Sequence, residues 1–104
     1  MLTTWPCFTE AMYLLGQTGG WRFQATLWAL RANGRLKLHE LSSSEADRIA
    51  ALMEKYRDTP MDLADASLVV VAESQSLRRV FTTDGHFRIY RLKDGSVLEM
   101  MPSE

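Results

Sequence analysis

Four acidic side chains stand where a small α/β protein could gather them: Glu10, Asp62, Asp65 and Asp84. Asp65 is the most demanding of them. It lies in MDLADASLVVVAE, residues 61–73, beside Ala64, Ala66 and Leu68, where an unpaired carboxylate is costly to bury. Asp62 comes three residues earlier, on the same helical face. Glu10 is the one charged side chain in residues 1–21, between Thr9 and the apolar AMYLL, and Asp84 follows the strand-like RRVFTT. Each has a bland explanation. With Thr59 as N-cap and Pro60 as first helical residue, Asp62 becomes an N3 dipole partner. Glu10 could serve another helix start in the same way, and Asp84 before Gly85 suits a turn. Together they suggest more. Clustered carboxylates repel unless a proton or cation intervenes, and the cation they suit is hard Mg²⁺ or Mn²⁺.

The elements that must position them follow from periodicity. MLTT is strand-like, and WPCFTEAMYLLG reads as a helix with Pro6 near its start and Gly16, Gly19 and Gly20 at its end. WRFQATLWALRA is a second helix with Trp21, Ala25, Trp28 and Ala32 on one face, stopped by Asn33-Gly34. RLKLHEL alternates as a half-buried strand. Ser42 with Glu45 forms a capping-box pattern for a helix to about Arg57, its inner face Ala46, Ile49, Ala50, Met53 and Tyr56. Residues 61–75 make a buried helix, RRVFTT a strand broken at Asp84-Gly85, and SVLEMM a last strand. Helices alternating with short strands predict an α/β layered fold with a largely parallel sheet. Ligands of such sheets collect beyond the carboxyl ends of the strands, where Asp84 stands.

The bulk numbers fit a single domain over residues 1–104. Its 46% apolar and 24% charged content is ordinary for a soluble protein. One cysteine, Cys7, excludes a disulfide framework and a cysteine-based zinc site, and suits a reducing compartment. The N-terminus lacks a signal-peptide pattern and no apolar run reaches bilayer length, so a soluble, cytoplasmic chain without membrane contact is expected. A net charge of −1 argues against holding nucleic acid by bulk electrostatics. His39 reads as a surface residue on a strand's polar side, His86 as a weak substrate contact beside Asp84, and Cys7 as a buried structural thiol. Trp5, Trp21, Phe23 and Trp28 read most simply as core. TGG at 18–20 is too short for a phosphate loop.

Three stretches taken in order, TTWPCFTEAMYLLG, DTPMDLADASLVVVAE and RRVFTTDGHFRIYR, resemble the PIN domain of VapC-type toxin ribonucleases over about residues 2–92. The resemblance implies a parallel sheet flanked by helices and Mg²⁺- or Mn²⁺-dependent RNA cleavage, restrained by a small antitoxin partner. By the same resemblance Glu10, Asp65 and Asp84 match acidic metal-binding positions, Asp62 adds a nearby carboxylate and Thr83 supports the site. Arg88 and Arg91 could grip the RNA backbone or form a solvated basic edge. The family begins with a further strand carrying an Asp, then a helix, and Met1-Leu2 here aligns with the strand after them. The expectations are therefore an N-terminally incomplete domain, impaired catalysis, and self-association through unpaired strand edges. The rival readings are an inactive PIN-like module that binds an antitoxin or itself, and a plain structural domain whose carboxylates are caps.

Overall fold

The computed structural model describes residues 1–59, 61–82, 88–93 and 95–102. The element order is β1 (Leu2–Thr4), α1 (Trp5–Gly19), α2 (Trp21–Ala32), β2 (Lys37–His39), α3 (Ser43–Lys55), α4 (Leu63–Gln75), β3 (Arg79–Thr82), β4 (Arg88–Arg91) and β5 (Val97–Pro102). β1 pairs parallel with β2, with Leu2 opposite Lys37 and Thr4 opposite His39. A second sheet runs β3-β5-β4. β3 and β5 are parallel, with Val80 opposite Met100, and β4 lies antiparallel to β5, with Tyr90 opposite Leu98. The α/β character and parallel pairing agree with the sequence reading. The antiparallel β4 was not anticipated, because RIYR offers too short a period to stand out from its flanks.

α4 organises the interior. Every residue from Ala64 to Ala72 is buried, and the helix packs against α1, α3, β1 and β3. A helix covered on all sides needs no polar face, so its sequence shows a continuous apolar run rather than a stripe. The core joins its Ala66, Leu68, Val69, Val70, Val71 and Ala72 to Ile49 and Leu52 of α3 and to Tyr90, Leu98 and Met100 of the sheet. Tyr56 and Tyr90 meet edge-to-face, with centroids 5.0 Å apart.

Several boundaries and faces differ from expectation. α1 continues through Gly16 to Gly19 and turns at Gly20, whose φ of 65° and ψ of −153° only glycine adopts readily. A side chain at Gly19 would meet the Phe23 ring, so this glycine lets α2 fold back closely on α1. On α3 the buried residues are Ile49 and Leu52, while Ala46 and Ala50 face solvent. Alanine fits either face, so the side on which α3 meets α4 could not be read from those two positions. His39 is a half-buried tether rather than a free surface group. Its Nε2 lies 2.8 Å from Glu45 Oε2, joining β2 to the first turn of α3.

The expectation that Trp5, Trp21, Phe23 and Trp28 are core is overturned. They are 40%, 69%, 43% and 41% exposed, and α2 contains no buried residue at all. Its strongest packing is on α1, so much of its circumference faces water.

One ion pair ties α4 to its surroundings. Glu73 accepts from Arg48 Nη2 at 2.9 Å and Nε at 3.2 Å, and from the Lys93 backbone N–H at 2.7 Å. Burial pushes the Glu73 carboxyl up, but the guanidinium and the amide outweigh it and hold the group below the ordinary carboxylate value. A pKa lower in the folded than in the unfolded chain stabilises fully above the unfolded value, and that gain fades as pH falls through the folded one. Thermal melts of wild type and Glu73→Gln should therefore differ most near neutrality, and the gap should close below about pH 4. A gap independent of pH would show that the carboxylate's charge contributes nothing.

Candidate active site

The described interior has three buried polar side chains, Thr4, Asp65 and Ser67, amid fifteen buried apolar ones. All three lie where the starts of α1 and α4 meet. Thr4 is the N-cap of α1, and its Oγ1 accepts from the Cys7 N–H at 3.4 Å. Ser67 Oγ donates to the Ala64 carbonyl at 2.8 Å. Because that bond uses Ser67's single hydroxyl proton, the 2.6 Å contact between the two hydroxyls has Thr4 as donor. Cys7 Sγ donates to the same Ala64 carbonyl at 3.5 Å. Burial pushes the Cys7 thiol up, with the Glu10 charge adding to the effect, so it stays a protonated structural donor, in a half-buried residue where the sequence suggested a buried one.

These bonds stitch β1 and α1 to the first turn of α4. Thr4→Val should break both, leaving the Cys7 amide without its cap and Ser67 without its donor. The expected loss is about 1–3 kcal/mol in urea unfolding, with Thr4→Ser close to wild type. Equal stability of all three chains would contradict the pairing.

The carboxylates are built onto this junction. Asp62 is the N-cap of α4, not its third residue, because the helix starts at Leu63; Pro60 lies outside the described residues. Asp62 Oδ1 accepts from the Asp65 N–H at 2.9 Å, and Asp65 Oδ2 accepts from the Asp62 N–H at 3.3 Å. Asp65 is therefore the N3 member of a capping box, 4% exposed, at the positive end of the helix. The box explains how a carboxylate survives in an apolar run.

Glu10 is half-buried in the second turn of α1, beyond the first turn where a dipole partner acts. It stands three residues after Cys7, on the same side of the helix, and Cys7 contacts the Ala64 backbone immediately before Asp65. Glu10 and Asp65 thus belong to adjoining turns of two packed helices. Their oxygens are the hard donors that Mg²⁺ or Mn²⁺ takes. Among the described residues no group of three His, Cys, Asp or Glu side chains stands close enough to hold a metal ion. Asp84, Thr83 and His86 lie outside the described residues, and the side chains of Arg88 and Arg91 do also. Thr4 and Ser67, which hold the junction together, were missed by the sequence reading. The signal available was Thr4 immediately before Trp5-Pro6, an N-cap pattern.

No protein-family model matches the sequence, and no curated protein matches it. The fold does have a counterpart. The structure of VapC20 from Mycobacterium tuberculosis, described as a sarcin-ricin loop cleaving toxin, superposes with a TM-score of 0.71 at 15% sequence identity, over 81% of this chain. The chain has a VapC-like PIN fold. It spans 65% of the length of that toxin chain. The PIN fold found here agrees with the resemblance read from the three sequence stretches, and 15% identity makes it a likeness of fold alone. Among the described residues no helix is long and apolar enough to cross a membrane.

Proposed function

We propose that this chain carries a metal-dependent endoribonuclease site of the toxin type, built on its PIN fold. The supporting observation is the gathering of the buried polar side chains, Asp65 included, at the meeting of α1 and α4. Glu10, Asp65 and Asp84 would hold Mg²⁺ or Mn²⁺, with Asp62 nearby. When bound, the ion supplies a lowered water pKa and charge stabilisation of the leaving oxygen. The capping bond from the Asp62 amide fixes the orientation of Asp65. The Thr4–Ser67 link and the Cys7 contact hold α1, and with it Glu10, against α4. Thr83 would support the site, and Arg88 and Arg91 would grip the RNA backbone. A small antitoxin is the partner this reading implies, a second copy pairing at an open strand edge is a further one, and the cytoplasm is where both would be met.

The test is incubation of single-stranded RNA with the protein and Mg²⁺ or Mn²⁺, with and without EDTA. Cleavage that EDTA abolishes is the expected result. An intact substrate with either ion, under conditions where the chain is folded, would overturn the enzyme reading.

A further inference from the structure

The charge of the chain is unevenly distributed. Residues 11–39 contain Arg22, Arg31, Arg35 and Lys37 and not one Asp or Glu, although the whole chain has a net charge of −1. Among the described residues none of these four cations makes an ion pair. The same segment, with Trp5, carries all three tryptophans of the protein, and all are substantially exposed.

Their arrangement is ordered. Trp21 and Trp28 are seven residues apart on α2 and share a face. The buried Phe8 stands between Trp28 and Trp5, edge-to-face with each, at centroid distances of 5.0 and 5.6 Å. Trp5 also lines an open cleft of about 400 Å³ with Arg31, Lys37, Leu36, Leu38 and Glu40. Arg31 lies one turn beyond Trp28. Trp5 thus shares the cleft with two cations, Trp28 lies one helical turn from the first of them, and Glu40 leaves the cleft with a net positive charge.

We propose that this Trp5–Trp28–Arg31–Lys37 surface is a stacking platform for single-stranded RNA, separate from the carboxylates at the start of α4. A nucleotide offers both a flat π-face and a negative charge, which is what the platform complements. An acidic peptide offers the charge without the base. The platform names how the proposed nuclease would hold its substrate, since the carboxylate site alone repels phosphates. It rests on that reading for the choice of RNA, but its binding does not depend on chemistry.

The test therefore uses EDTA and a fully 2′-O-methylated RNA of about 12 nucleotides, within the usual site size of such platforms. Because two of the three tryptophans lie on this surface and Trp21 shares the face of Trp28, intrinsic fluorescence reports its occupancy. Binding should quench the emission and weaken steeply with salt. The double variant Arg31→Gln/Lys37→Gln, exposed and remote from the core, should bind about tenfold more weakly at low salt, and its salt slope should fall by about 1.4 for two lost phosphate contacts. Trp28→Ala should weaken binding by roughly tenfold; Trp21→Ala, at the more exposed end of the stripe, reports stacking without disturbing Phe8. Unchanged affinity in the double variant, or displacement of RNA by an oligoglutamate at equal charge concentration, would overturn the proposal, the latter pointing to a protein partner. Binding that behaves as expected in a chain that never cleaves RNA would leave the platform standing and sink the nuclease.

Discussion

Asp65→Asn is expected to leave the chain folded while Mn²⁺ binding and RNA cleavage are lost. The asparagine carbonyl can still accept from the Asp62 N–H, so the capping box that Asp65 closes across 3.3 Å is retained in its neutral form. Stability should fall by about 1 kcal/mol, for the weaker dipole interaction and the amide protons that must find partners. Metal affinity should fall much further, because a neutral oxygen would replace the anionic one proposed to hold a hard divalent ion. Even outer partners of metal ligands cost about 10–100-fold when removed, so loss of Asp65 in its proposed role as a direct ligand should cost at least about 100-fold in cleavage. Thermal melts, Mn²⁺ titration and an RNA cleavage assay on one preparation separate the two roles. Equal Mn²⁺ affinity for the two proteins would assign Asp65 to capping alone, and the enzyme reading would lose its central residue.

The largest expected loss of stability is at Leu52. Its side chain is fully buried on the α3 face that meets α4. Truncation to alanine removes three carbons from a site enclosed by rigid helices, so the neighbours can fill little of the cavity. Leucine-to-alanine changes of this kind cost about 3–5 kcal/mol, which in a domain of this size lowers the melting temperature by about 12 °C or more. Ala50→Ser, two residues away on the solvent face, should change stability by less than about 0.5 kcal/mol. Comparable losses at both positions would mean that α3 does not pack as described.

Loss of Leu52 should also disturb the proposed site, although it touches none of the carboxylates. α4 is held from one side by α3 and from another by β1 and α1, and the Thr4–Ser67 bond spans the second contact. If α4 shifts on a weakened α3, Asp65 moves relative to Glu10. A displacement of about 1 Å can cost roughly 100-fold in a catalytic rate. Leu52→Ala should then lose cleavage at temperatures well below its melting point.

Local chemistry was legible in the sequence. Ser42 and Glu45 specify their capping box because its partners are three residues apart, and the structure forms it. Asn33-Gly34 stops α2 at Ala32, as expected of residues that favour a helix end. The three stretches that resemble PIN domains gave the fold, since motif order survives where overall identity does not. The apolar run of α4 announced a buried helix. Its cap was misplaced by three residues because Thr59-Pro60 and Asp62 both carry helix-start signals. Only the observed hydrogen bonds choose between them.

The rest was decided by which surfaces meet. A tryptophan in an amphipathic helix reads as core from sequence, but burial requires a partner on that side, and α2 has one chiefly in α1. The same holds for α3, where Ala46 and Ala50 read as inner face yet are exposed, while Leu52, outside that reading, is buried. Thr4 and Ser67 are 63 positions apart, and nothing local marks them as a pair. A hydroxyl can face water or a distant hydroxyl at similar local cost, and only the docking of α1 on α4 removes the water. The sequence by itself determined the helices, the capping box of α3 and the stop of α2, because those depend on neighbours within a few residues, and it nominated the fold by motif order and the candidate carboxylates by residue type. Which faces are buried, which aromatics stay open, and which hydroxyls lock the two helix starts together depended on contacts between distant segments, which no local pattern encodes.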